Sequence, residues 1–169
     1  IRRLSLSGIT GEKYLGGIEC VRALMAPAKQ TINDKVVVPS SSDVQLRCNL
    51  ILEETLEFLE ACLGKTDDFF EYLSAIRFAA DGIRNTKTEI VDVDLEEAFD
   101  AVVDIEVINL GTALTFGFPV EEGFAEVHRS NMTKVLEDGT CLLRDDGKII
   151  KPEGYSPPDL KSILNNNQK

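Results

Sequence analysis

The residues with the most chemistry in them lie in the run Asn49-Leu50-Ile51-Leu52-Glu53-Glu54-Thr55-Leu56-Glu57-Phe58-Leu59-Glu60. Its glutamates stand in an otherwise almost wholly apolar setting, and no lysine or arginine falls between Arg47 and Lys65. At about 100° per residue, Glu53, Glu57 and Glu60 share one narrow helical stripe, with Glu54 at its edge. A solvated acidic face is the ordinary explanation of a Glu-rich helix. It fits poorly here, because such faces mix charge signs to gain i,i+4 support, whereas these glutamates repel one another. Carboxylates crowded between apolar flanks need a compensating charge, and a hard divalent cation supplies it.

A second acidic stripe follows. On a helix running from about Asp94 to Phe116, Glu97, Asp100 and Asp104 fall within about 60° of one another. Ala101, Ile105 and Ile108 flank that seam on one side, and Val103, Val107 and Leu110 on the other. Beyond it, Glu126-Val127-His128-Arg129-Ser130-Asn131-Met132-Thr133-Lys134 gathers basic and amide groups. Two facing helices of this kind make an oxygen-rich site for Mg²⁺, with Mn²⁺ as the alternative ion. Such ions bind polyphosphate oxygens and activate a water for in-line attack. A carboxylate not fully used as a ligand takes the proton from that water. The expected metal ligands are Glu53, Glu54, Glu57, Glu97, Asp100 and Asp104, and the expected catalytic carboxylates are Glu54 and Glu57. Arg129, Asn131 and Lys134 are expected to hold the leaving phosphates.

Other metal chemistries fit less well. A di-iron bundle needs Glu-x-x-His on each of two helices, and His128 is the single histidine. It is read as structural or as a neighbour of the site. No Asp-x-Asp-x-Asp-Gly calcium loop occurs.

The elements that must position these residues are helical. A first helix is expected over about Ile18–Met25, stopping at Pro27. The second spans about Ser42–Leu63 after the Ser40-Ser41-Ser42-Asp43 start signal. A shorter, less regular helical segment follows from Asp67 to Ile83, then a β-branched connection over Lys87–Val93. Asp94 is an N-cap for the third long helix, with Glu97 placed as in a capping box. A fourth helix covers about Glu121–Asn131. Asp138-Gly139 and Asp146-Gly147 predict hairpin turns around short strands at Thr140–Leu143 and Lys148–Lys151. The expected organisation is a flexible segment over 1–16, one domain over 17–160 whose 135–160 part is hairpin and tail, and a disordered end over 161–169.

The chain has 169 residues and a net charge of -11, which argues against a general nucleic-acid binder. No apolar run approaches transmembrane length. The four cysteines are scattered, without a CxxC spacing, and are expected to be reduced core residues of a cytoplasmic protein. The first residue is Ile1 rather than methionine, so a trimmed or processed chain is expected, and an organellar address stays open.

Together these motifs resemble a family. Glu53-Glu54-x-x-Glu57 on one helix, Glu97-x-x-Asp100 with Asp104 on another, and Asn131-x-x-Lys134 after them look like the all-α nucleoside triphosphate pyrophosphohydrolases. That group includes MazG, the dimeric dUTPases and the phosphoribosyl-ATP pyrophosphohydrolases. Gly111-Thr112-Ala113-Leu114 followed by the Glu126–Lys134 run is similar to the MazG-like, phosphoribosyl-ATP pyrophosphohydrolase-like branch. The resemblance covers about Ile18 to Pro158. It implies an all-α, MazG-like bundle of four main helices with a short C-terminal β-hairpin and extended tail. It also implies Mg²⁺-dependent cleavage between the α and β phosphates of a nucleotide, and a homodimer or dimer of dimers with sites near subunit interfaces. Carried over by position, Glu53, Glu54, Glu57 and Asp104 match the motif best. One departure stands out: the family's ExxD would place glutamate where this chain has Ala101. A catalytically silent relative, serving as a nucleotide-binding or helical interaction module, is the alternative.

Overall fold

The structure, a computed structural model, describes residues 12–63, 67–85 and 93–167. Among them are helices α1 (Glu12–Met25), α2 (Ser41–Leu63), α3 (Asp67–Asn85), α4 (Leu95–Phe116), α5 (Val120–Met132) and α6 (Leu160–Asn167). The all-α class expected from the sequence is what is seen, with six helices where the resemblance implied four main ones. The described residues divide into two compact units, those within 1–34 and 100–169 and those within 35–99. Each is taken by itself below.

In the unit of residues 35–99, α2 starts where the serine cluster predicts. Ser40 Oγ accepts from Asp43 N–H at 3.2 Å and donates to its carboxylate at 2.7 Å, while Val44 N–H closes the first turn on Ser40 O. Helix α3, shorter than α2 and α4 as expected, is regular over its whole length rather than less regular. Packing against α2 explains this, with Leu56, Leu73 and Ala80 buried. Thr55 and Ser74 return their hydroxyls to the carbonyls one turn back, so both helices carry polar residues without losing their ladders.

In the other unit, α1 begins well before the expected Ile18 and runs through Gly16 and Gly17. Two glycines cost a helix about 1 kcal/mol each relative to alanine, but α1 packs on α5, and Gly17 faces the ring of Phe124. The expected flexible segment 1–16 otherwise lies outside the described residues, as does most of the connection 87–93.

Helix α4 is capped as predicted: Asp94 Oδ1 accepts from Glu96 and Glu97 N–H at 3.1 and 3.2 Å. It ends in a Schellman turn, with Phe118 N–H on Ala113 O, Gly117 N–H on Leu114 O, and Gly117 at φ +68°. A side chain at Gly117 would strain that left-handed backbone. The break turns α5 by 115° from α4, and no single helix among the described residues is long and apolar enough to cross a membrane.

The expected C-terminal β-hairpin does not form. In its place are two isolated antiparallel bridges, Val135 with Cys141 and Leu143 with Ile149. The turn signals are right, since Gly139 and Gly147 both sit at positive φ. The middle segment, however, pairs backward through Cys141 and forward through Leu143, so neither ladder grows beyond one bridge.

The end expected to be disordered over 161–169 is helical over Leu160–Asn167. Asp159 caps it, accepting from Ser162 N–H at 3.1 Å and Ser162 Oγ at 2.7 Å. Leu160, Ile163 and Leu164 then close on Phe118, Phe124 and Val127 around an apolar cleft of about 370 Å³. The polar asparagines hid this apolar i, i+3, i+4 face.

Candidate active site

Helix α2 carries Glu53, Glu54 and Glu57 within about one turn of each other. Glu53 is half-buried, and Glu54 and Glu57 are exposed. Glu60, next along the stripe, is taken: Arg77 of α3 pairs with it. The cation missing from the local sequence thus arrives from another helix.

One turn before Glu53, Asn49 Oδ1 is buried and accepts no hydrogen bond among the described residues. A buried acceptor without a donor is costly. Its helical position continues the line of Glu53 and Glu60, so it adds a neutral oxygen to the carboxylate set. Glu97, Asp100 and Asp104 lie along one face of α4 and are all exposed. The donor chemistry of both helices, oxygen throughout, fits Mg²⁺ or Mn²⁺. The described residues do not, within one chain, bring three or more His, Cys, Asp or Glu side chains into a metal-holding group.

The stretch after the acidic helices divides into two faces of α5. On one, Glu126, Arg129, Ser130 and Thr133 fasten residues 155–159, a strap. Arg129 Nε and Nη2 each donate to the Glu126 carboxylate at 2.8 Å, Nη1 reaches Ser156 Oγ at 3.2 Å, and Nη2 also reaches Pro157 O at 3.1 Å. Glu126 further accepts from Asp159 N–H at 2.9 Å. The Arg129 bond first, and that N–H second, hold the Glu126 carboxyl down to about 2. Ser130 is 1% exposed; its hydroxyl donates to Ser156 O at 2.8 Å and accepts from the Tyr155 hydroxyl at 3.1 Å. Thr133 Oγ1 accepts from Ser156 N–H at 2.9 Å. Arg129 therefore spends four of its five N–H donors inside the chain.

On the neighbouring face, Asn131 and Lys134 do come together: Lys134 Nζ donates to Asn131 Oδ1 at 2.7 Å. Both are half-buried, as is His128. Tyr155 completes this end, with Lys134 Nζ 5.7 Å and Lys151 Nζ 5.1 Å from its ring centroid. Neither Tyr155 nor Lys151 was singled out from the sequence, where they flank Pro152-Glu153-Gly154 with no periodicity to link them to α5.

The profile of the phosphoribosyl-ATP pyrophosphohydrolase family matches residues 21–131. That span takes in the whole of α2 and α4 and ends at Asn131. The chain belongs to the phosphoribosyl-ATP pyrophosphohydrolase family, an all-α nucleoside triphosphate pyrophosphohydrolase-like family. Membership supports a hydrolase acting on phosphorus-containing anhydrides. No curated protein and no solved structure matches the chain.

Proposed function

We propose that this chain hydrolyses a nucleoside triphosphate between the α and β phosphates, releasing a nucleoside monophosphate and pyrophosphate, as a house-cleaning activity. The observation that carries the reading is the family match, which contains both acidic helices complete. Mg²⁺, or Mn²⁺ in its place, would be held by Glu53, Glu54 and Glu57 of α2 with Glu97, Asp100 and Asp104 of α4. When bound, such ions neutralise phosphate oxygens and acidify the attacking water.

The chain's own residues do the rest. Glu54 or Glu57 accepts the proton of that water, and Asn131 and Lys134 hold the departing pyrophosphate by charge-assisted hydrogen bonds. Arg129, first expected beside them, acts by fixing the strap against α5.

A homodimer or dimer of dimers is part of the same reading. Only Ala113 of α4 is buried, while Phe99, Val107, Ile108 and Leu114 are 71%, 62%, 65% and 84% exposed. A helix that is apolar on most sides is ordinarily buried on most sides. A second copy covering α4 would supply that cover and bring further carboxylates to the stripe.

A product-resolved assay on a panel of nucleoside triphosphates, phosphoribosyl-ATP included, tests the proposal. The expected product with Mg²⁺ is pyrophosphate, with activity lost by about 10²-fold or more in Glu54→Gln and Asp104→Asn. Orthophosphate as the sole product, or unchanged activity in both variants, overturns it. Ala101, standing where the family has glutamate, favours a second reading, a silent nucleotide-binding relative. Tight nucleotide binding without turnover across the panel would decide for it.

A further inference from the structure

Tyr155 is the pivot of the C-terminal segment. Its hydroxyl is held by the buried Ser130, and its N–H closes a turn on Pro152 O at 3.0 Å. The ring is thereby fixed at both ends, and two ammonium groups converge on it, Lys134 Nζ at 5.7 Å and Lys151 Nζ at 5.1 Å from the centroid. Among the described residues, no carboxylate pairs with either lysine. That placement is costly to explain in a chain with 29 acidic residues against 18 lysines and arginines. Two like charges drawn to one aromatic ring repel each other, and the ring face offsets only part of that repulsion.

The polar groups around them are suited to an anion. Asn131 spends its Oδ1 on Lys134, which leaves the amide Nδ2 to donate. Cys141 is neutral at the edge of the cluster: burial raises its thiol pKa more than nearby Lys134 lowers it. Every donor here is a point charge or an amide, and none has the planar fork that selects a carboxylate. A condensed phosphate fits this set, because its charge is spread over linked phosphoryl groups that several separate donors can share.

The geometry points to a condensed-phosphate seat formed by Lys134, Lys151 and Asn131 around Tyr155, with Lys151 as an additional binding residue and Tyr155 as the positioning residue. The inference rests on the pyrophosphohydrolase reading only in naming the occupant as the pyrophosphate end of the nucleotide. The seat itself should take an inorganic chain.

The probe is inorganic triphosphate, titrated calorimetrically without added divalent cation so that the carboxylate helices contribute no attraction. Wild type, Lys151→Met, Lys151→Arg and a control variant on α6, Lys161→Met, are compared, each checked by thermal unfolding. Lys151→Met should weaken binding about tenfold, Lys151→Arg should restore most of it, and Lys161→Met should match wild type. Wild type failing to bind triphosphate, or Lys151→Met binding as tightly as wild type, overturns the seat. Pyrophosphate release by the same preparations separates the two ideas. If wild type turns over nucleotide and Lys151→Met leaves both KM and triphosphate affinity unchanged, the seat falls and the hydrolase stands. If wild type turns over nothing yet Lys151→Met loses triphosphate binding, the hydrolase falls and the seat stands.

Discussion

Arg129 faces Glu126 one turn away on α5, with Nε on one carboxylate oxygen and Nη2 on the other, each at 2.8 Å. The pair is a two-pronged ion pair that also holds the strap, since Arg129 reaches Ser156 and Pro157, and Glu126 reaches Asp159. Arg129→Lys keeps the charge but loses the fork. It should lower Tm and raise protease sensitivity around residues 155–159, while leaving KM for nucleotide nearly unchanged. A large rise in KM with an unchanged Tm would return Arg129 to the phosphates.

The same pair sets an acid limit. Glu126 has its pKa held to about 2, against an ordinary value of 4.5. The stabilisation this brings is fully present above pH 4.5 and is lost as pH falls through about 2. The strap should therefore loosen across that window, seen as a change in the Tyr155 environment by NMR or near-ultraviolet dichroism. In Glu126→Gln the strap should be weaker at neutral pH, and this component of the pH dependence should vanish.

Ser130 ties strap to helix without charge. It is buried at 1% exposure and serves both Tyr155 and Ser156. Ser130→Ala leaves Ser156 O short of a donor in a closed space, at a cost of about 1–3 kcal/mol. Urea unfolding measures it, and a change below about 0.5 kcal/mol would mean that water replaces the hydroxyl.

Helix α4 offers the clearest test of assembly. Ile108 and Leu114 are 65% and 84% exposed, so charge there costs a lone chain almost nothing. Under the dimer proposal, Ile108→Glu and Leu114→Glu should shift the mass measured by light scattering toward the monomer and lower activity with it. Unchanged mass in the double variant would remove α4 from the interface.

Glu60 should prove dispensable for chemistry. Its carboxylate pairs with Arg77, at 35% and 58% side-chain exposure for the two residues. Glu60→Gln is expected to retain turnover and to cost only about 0.2–1 kcal/mol of stability. A tenfold loss of kcat would place Glu60 among the working carboxylates.

What was legible in the sequence was local. Asp94 and Ser40 marked helix starts because a cap is a bond between near neighbours. The acidic residues could be assigned to one face of each helix from their spacing alone. What was not legible depends on distant partners. Arg77 answers Glu60 across a helix pair, and Asp159 and Leu160 order an end that composition alone marks as polar coil. The hairpin failed as an expectation because turn residues specify the reversal, while ladder length depends on which neighbour each segment finds. The bonds of Arg129 to Ser156 and Pro157 were not legible either, because those partners lie 27 and 28 residues away along the chain.

The strap has a consequence for the order of events in a cell. Residues 155–159 are made after everything they fasten, and Tyr155 stands on Ser130 only once they have arrived. A ribosome-bound chain can therefore carry α2 and α4 fully formed while its Asn131–Lys134 end still lacks the ring beside it. Maturation is in this sense a clock read from the carboxyl-terminal side, with the acidic helices made early and the tyrosine platform made last.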